Sequence, residues 1–193
     1  SFDEVAADLG AAIDKFLADP ATATAVLGAI QSPDTLKRIE EAPQAATVVL
    51  ASKKLEHPEF PKAEIRTPVV LRADAADEAA YMQERFGPIS TVVAVPGGPQ
   101  ALAALSERIV REHGALTVGM YSTKPEFIEA MTAATQRAGV ALSINLTSGV
   151  FVNQSAGFSD YHGTGANPAA NASYTDSAFV AGRFRVIQRR QHV

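Results

Sequence analysis

A carboxylate and an aromatic ring stand two positions apart in Glu84-Arg85-Phe86-Gly87-Pro88. A carboxylate accepts hydrogen bonds from ligand hydroxyls, and a ring face orients a flat partner. Gly87 supplies backbone freedom and Pro88 fixes φ, so the chain must turn here, directly before the apolar run 89–95. The turn sets Glu84 beside Phe86 where a strand begins, a place that ligand sites favour and that ordinary tight turns share. Taken alone, the pair reads first as a surface carboxylate and a core ring.

Other residues could also do chemistry. Asn145 ends an apolar run, and loops after strand C-termini carry the sites of open α/β sheets. Alone, it reads as a strand terminator. Asp160 and His162 have the form of a carboxylate orienting an imidazole, but no Gly-x-Ser-x-Gly supplies a nucleophile for a triad. The histidines at 57, 113, 162 and 192 lack metal-ligand spacing, so no metal site is expected. Pro96-Gly97-Gly98-Pro99 lacks the Lys-Ser/Thr of a phosphate loop and reads as a strand-to-helix turn. Cysteine is absent, which removes disulfides, cysteine-zinc sites and any thiol nucleophile from these residues.

The elements that must position these residues alternate between helix and strand. Ser1 with Glu4 has the form of a capping box. Val5, Leu9, Ile13 and Phe16/Leu17 then recur at helical spacing until Asp19-Pro20 closes the helix. Leu27 and Ile30 sit in a short apolar connection. Ser32-Pro33-Asp34 restarts a helix with a cap and a first-turn proline, and Leu36 and Ile39 form its stripe. Residues 47–51 read as a short strand and 53–62 as a charged loop. The β-branched run 65–72 is interrupted by Pro68, the mark of an edge strand or a strand start.

Residues 74–83 favour a helix, and 91–95 form a continuous apolar strand. Leu102, Leu105, Ile109 and Val110 face inward from the next helix, which ends near His113-Gly114. A strand over 116–121 leads to Ser122-Thr123-Lys124-Pro125, another cap-plus-proline start. The helix after it carries Phe127, Ile128 and Met131, ends at Ala138-Gly139, and precedes a strand over 140–146. This alternation predicts an α/β fold, a mostly parallel sheet flanked by helices on both faces. Residues 155–176 are rich in Gly, Ala, Asn and Ser, yet hold Phe158, Asp160, Tyr161 and His162. Those rings are too many for a simple linker and point to a functional loop. Residues 178–188 alternate partly and read as a last strand, pairing with this sheet or with a neighbouring subunit.

Composition excludes several partners. The 193 residues carry 47% apolar side chains, 17 basic and 21 acidic residues, and a net charge of −4. That balance gives no general attraction to nucleic acid or anionic membrane. No apolar run approaches the roughly 20 residues that span a bilayer, and no basic leader precedes an apolar core. A cytoplasmic protein is expected. Ser1 in place of an initiator Met points to processing or excision from a longer chain.

The order of the pieces is more specific than any one of them. Thr67-Pro68-Val69-Val70 followed by Glu84-Arg85-Phe86-Gly87-Pro88 resembles the "E-x-F-G-P" region of the aldehyde dehydrogenase superfamily. His113-Gly114-Ala115-Leu116-Thr117-Val118-Gly119-Met120-Tyr121 is similar to the family's "Y-G-L-x-A-x-V-F-T" strand. Ala138-Gly139-Val140-Ala141-Leu142-Ser143-Ile144-Asn145 is similar to its "A-G-x-V-x-I-N" strand. Phe158-Ser159-Asp160-Tyr161-His162-Gly163 falls where the family has "F-G-G-x-K-x-S-G". Phe151-Val152-Asn153-Gln154-Ser155, Gly165-Ala166-Asn167-Pro168 and Phe179-Val180-Ala181-Gly182-Arg183-Phe184-Arg185 resemble the PaaN branch, found in bacterial phenylacetic acid degradation.

The resemblance implies that residues 1–177 form the C-terminal portion of an aldehyde dehydrogenase catalytic domain. Residues 178–193 would be a strand for inter-subunit or sheet-edge pairing. It implies an NAD(P)-dependent oxidoreductase that converts an aldehyde or CoA-linked semialdehyde to the acid through a cysteine thioester, and a homo-oligomer joined by the C-terminal strand. Glu84 would bind the ribose hydroxyls of the nicotinamide half of the cofactor, and Phe86 would pack on the nicotinamide ring. Asn145, Phe158, Asp160 and His162 would line the substrate pocket. Ser159-Asp160 and His162 depart from the usual Gly-Gly and Lys, adding bulk and altering charge there. The family's catalytic Cys, general-base Glu, oxyanion Asn and nucleotide-binding domain lie upstream of the matched segment. No catalytic residue is therefore expected in this chain, which alone should neither hold the cofactor nor turn over aldehydes. The alternative is a non-catalytic α/β binding or oligomerisation module.

Overall fold

Local sequence signals set most element boundaries in the computed structural model, which describes residues 1–115, 117–146 and 187–189. The chain divides into two compact units, Ser1–Val95 and Pro96–Val193.

In the first unit Ser1 opens α1 (Phe2–Phe16) with a complete capping box, its hydroxyl accepting from the Glu4 amide. The packed face of α1 is not the apolar stripe. Ala6 and Gly10 are the buried residues, while Val5, Leu9 and Phe16 are exposed. The reason is steric: a Cβ added at Gly10 would lie 3.1 Å from Val49 Cγ1, so only small residues let the helix lie this close to the strand. Asp19-Pro20 does more than close α1. Its carboxylate caps a further helix, α2 (Pro20–Val26), accepting from the Thr22 amide at 2.8 Å and the Thr22 hydroxyl at 2.7 Å. Ser32 and Pro33 start α3 (Pro33–Glu41) as the sequence predicts, and Ile39 is its buried residue.

Strands β1 (Thr47–Leu50), β4 (Val69–Asp74) and β5 (Ile89–Ala94) form one sheet in the order β1-β4-β5. The β4/β5 pair is parallel, but β1 runs antiparallel to β4. Strands β2 (Lys54–Leu55) and β3 (Ile65–Arg66) form a small antiparallel pair, placing strand within the charged loop. Pro68 stands immediately before β4 and so marks a strand start, where its missing N–H costs no ladder bond. β4 is central and its residues Val69, Val70 and Leu71 are almost fully buried. The core forms where Val69 and Leu71 meet Ala42, with Ala45, Ala46 and Ile89 packed around them.

The helix-favouring stretch 74–83 does not become a helix. Only Glu78–Ala80 forms a 3-10 turn. Side chains close the segment instead: the Tyr81 hydroxyl donates to the Ala75 carbonyl at 2.6 Å, and Arg85 donates to the Ala80 carbonyl at 2.6 Å. Tertiary anchoring thus overrides a weak helical preference.

The second unit is α4 (Gly98–His113), β6 (Thr117–Met120), α5 (Pro125–Ala138), β7 (Ala141–Ile144) and β8 (Ile187–Arg189). Gly97 (φ 102°) and Gly98 (φ 76°) make the strand-to-helix turn without a Cβ penalty, and α4 ends at Gly114. Lys124, rather than Ser122 or Thr123, is the N-cap of α5. Pro125 follows it, and the Ser122 hydroxyl accepts from the Lys124 amide at 3.2 Å. β6, β7 and β8 form an all-parallel sheet in that order. Its core joins Met120, Leu142 and Ile144 to Ile128 and Met131 of α5, with Leu102, Val118, Phe127 and Ile187 at the margin. β7 is buried at every position, as the middle strand of a parallel sheet should be.

The α/β class with parallel and mixed sheets therefore holds. Of the expected last strand, residues 187–189 are described, and they pair within this chain. The loop 155–176 and the expected boundary at 177 lie outside the described residues. Among the described residues no helix is long and apolar enough to cross a membrane.

Candidate functional site

The 84–88 turn is held from several directions. Arg85 folds back onto the carbonyls of Ala80 and Ala79. Arg38 of α3 donates through Nε to the Phe86 carbonyl at 2.9 Å. The Pro88 carbonyl accepts from the Val69 amide at 2.9 Å, tying the end of the turn to the head of β4. Gly87 sits at φ 148°, and a Cβ there would lie 3.2 Å from Thr35 Cγ2. Only glycine fits that backbone so close to α3.

What the turn displays is the informative part. Phe86 is 72% exposed, so the core-ring reading is overturned: its carbonyl is anchored while its ring stands in solvent. The turn is held through its backbone, with Arg38 on the Phe86 carbonyl and Val69 on the Pro88 carbonyl, so its anchoring does not use the ring. Glu84 is also exposed, and among the described residues it has no hydrogen-bond or ion-pair partner. A free carboxylate therefore stands two residues from an uncovered ring on a rigid turn. Beside it lies a cavity of about 340 Å³, lined by Arg38, Glu41, Gln44, Gln83, Glu84 and Arg85. This set of groups can accept hydrogen bonds from a diol and cover one face of a planar ring.

Asn145 belongs to the second unit. It takes a left-handed backbone (φ 56°), which Asn tolerates better than most residues. Its Nδ2 donates to the Ser122 carbonyl at 2.9 Å, and its Oδ1 accepts from the Ser122 amide at 2.9 Å. The backbone amide of Asn145 donates to the Met120 carbonyl at 2.8 Å. The side chain thus clips the ends of β6 and β7 together. A cavity of about 500 Å³ opens next to this clip, lined by Leu102, Met120, Tyr121, Ser122, Lys124 and Phe127. Phe158, Asp160 and His162 lie outside the described residues.

Sequence reasoning brought Glu84 and Phe86 together but missed Arg38 and Thr35. Nothing local marks them, because the Arg38 bond to Phe86 spans 48 residues. The mutual clip of Asn145 and Ser122 was likewise invisible to spacing, since it spans 23 residues.

Two carboxylates that line neither cavity are coupled to basic side chains. Arg137, and then Arg111, hold the Glu107 carboxyl below the usual carboxylate range. Lys54 and then Arg66 do the same for Glu64. Both are ion-pair braces between elements.

No protein-family model and no curated protein matches the chain. A solved structure does: an NAD-dependent aldehyde dehydrogenase from Burkholderia multivorans is 54% identical, with a TM-score of 0.79. The match covers 100% of this chain and 34% of that one, so the chain spans about a third of that enzyme's length. The architecture is that of part of an aldehyde dehydrogenase domain, and the similarity supports that superfamily.

Proposed function

We propose that the chain is a segment of an NAD(P)-dependent aldehyde dehydrogenase and supplies the nicotinamide-ribose contact of its cofactor site. The observation that carries this reading is the pairing, on one anchored turn, of an exposed Phe86 ring with a Glu84 carboxylate that has no partner among the described residues. Exposing a large ring to water forgoes roughly 2 kcal/mol or more of burial, a loss that a ligand face recovers on binding. The groups present fit the cofactor's nicotinamide half. Two carboxylate oxygens match two vicinal hydroxyls, and the ring offers a flat apolar face. When bound, NAD(P) would supply the hydride acceptor. Glu84 would fix the sugar, and Phe86 would orient the flat ring and keep water from one face.

The chain has no cysteine, so a thiol nucleophile must come from polypeptide outside these residues. The chain alone is therefore expected to show no aldehyde oxidation. The PaaN-like motifs of residues 151–185 support an aldehyde or CoA-linked semialdehyde as substrate, in phenylacetate breakdown. Asn145, Phe158, Asp160 and His162 are the proposed substrate-side residues. The clip on Ser122 leaves Asn145 one amide hydrogen and one lone pair for a ligand.

The test is made in the longer protein that carries this chain. Glu84→Gln and Phe86→Ala should each raise the cofactor KM, by about tenfold or more for a charged hydrogen-bond acceptor worth 1.5–3 kcal/mol. Unchanged cofactor affinity in both variants would sink the reading.

A second reading, assembly through the C-terminal strand, is favoured by β8 as the outer strand of its three-stranded sheet. Among the described residues no strand pairs its outer edge, which would leave backbone groups for a neighbouring subunit. Sedimentation with and without residues 178–193 decides it: a fall in mass on deletion is expected, and an unchanged mass counts against assembly.

A further inference from the structure

Three contacts hold the turn around Phe86, and each has a distinct job. Arg85 anchors the residue before it, and the Pro88–Val69 bond anchors the strand after it. The bond to the Phe86 carbonyl itself comes from Arg38, on α3. That guanidinium is braced at its far side, since Nη2 donates to the Thr35 hydroxyl at 2.9 Å. Thr35 in turn presents its methyl to Gly87. One helical turn of α3 therefore grips the Phe86-Gly87 peptide through a polar and an apolar contact.

We propose that Arg38 is a positioning residue, a planar strut from α3 that fixes the Phe86 carbonyl and so aims the Phe86 ring and the Glu84 carboxylate outward for a ligand. The inference rests on the cofactor reading only for the ligand's identity. The grip itself is independent of it.

The chemistry of the side chain fits the task. A guanidinium holds its donors in a fixed plane, so one can be locked to Thr35 while another is directed at a carbonyl on a different element. A lysine has one compact charge on a mobile stem and cannot satisfy both acceptors with fixed direction. The anchored atom also matters. Pinning a carbonyl fixes the rotation of the peptide that follows Phe86, and with it the Cα–Cβ direction along which an unpacked ring points. A ring that is 72% exposed gets little orientation from packing, so the direction of its Cα–Cβ bond, set by the backbone, matters more.

The chain contains no tryptophan, so Phe86→Trp provides a single fluorophore at an exposed position where a larger ring is accommodated. Time-resolved anisotropy of this variant is compared with the same variant carrying Arg38→Ala, Arg38→Lys or Thr35→Val. Losing the strut should increase the nanosecond depolarisation amplitude about twofold in Arg38→Ala, and less in Arg38→Lys and Thr35→Val. Circular dichroism should stay unchanged. Equal amplitudes in all variants overturn the proposal. Thr35→Val keeps the shape of α3, so it gives the answer if Arg38→Ala fails to fold.

In the longer protein, Arg38→Ala should raise the cofactor KM about tenfold and leave kcat nearly unchanged. If Glu84→Gln raises that KM and Arg38→Ala does not, Arg38 has no positioning role and the proposal fails. If neither moves it, the cofactor reading fails, and the anisotropy alone decides whether Arg38 holds the turn.

Discussion

Gly87 combines a left-handed backbone with a near contact, and either would resist a side chain. At φ 148° an L residue is strained by about 1–3 kcal/mol. Thr35 Cγ2, 3.2 Å from the site of an added Cβ, would also have to yield. Gly87→Ala should therefore lower unfolding stability by about 1–3 kcal/mol in urea titration. Gly28→Ala is the internal control. Nothing lies within 4 Å of its added Cβ, so a change within about 0.5 kcal/mol is expected. Equal effects at the two glycines would show that the grip on the turn is not tight. At this scale the sequence made the Gly-Pro break legible. It did not show that the break leans on Thr35, because that contact joins residues far apart in the chain.

Between elements, the Glu107 carboxylate clamps α4 to α5. It accepts from Arg137 at 2.8 and 3.0 Å and from Arg111 of its own helix at 2.9 Å. Arg111 also donates to the Arg137 carbonyl at 2.9 Å, near the end of α5. Because the arginines hold the Glu107 carboxyl low, its contribution is fully present above the unfolded glutamate value of about 4.3. It is lost as pH falls through the lower folded value. Glu107→Gln should thus lower the urea midpoint near neutral pH, and the gap to the parent chain should close on acidification. A gap that stays constant into strongly acidic solution would count against the ion pair.

The first helix teaches a different lesson at this scale. Its start was readable from Ser1 and Glu4, because a capping box is local chemistry. Its packed face was not. Apolar periodicity nominates Val5, Leu9 and Phe16, but close approach to β1 selects Ala6 and Gly10. Where a helix must lie against a strand, volume outranks hydrophobicity.

Across the molecule, the two units have separate cores, one around Val69 and Leu71 and the other around Leu142 and Ile144. Leu142 is fully buried at the middle of its sheet. Leu142→Ala should cost about 2–5 kcal/mol, since the lost methylenes leave a cavity that neighbours only partly fill. Separate cores predict that the damage is local. Hydrogen exchange should lose protection in β6, α5 and β7 while β4 and β5 keep theirs. Uniform loss through both units would show that they open as one.

The sequence by itself determined the α/β alternation, the helix starts at Ser1, Ser32 and Pro125, the stops at Gly114 and Gly139, and the Glu84-Phe86 turn as a candidate site. These follow from caps, prolines, glycines and apolar runs, whose effects reach only a few residues along the chain. Only the tertiary structure decided that β1 runs antiparallel to β4, that 74–83 is not a helix, and that Asn145 is clipped to Ser122. The same holds for the Phe86 ring, which faces solvent while Arg38 holds its carbonyl. Each of these depends on contacts between distant residues, where burial and directed hydrogen bonds outweigh local preference and leave no mark in the spacing of the chain.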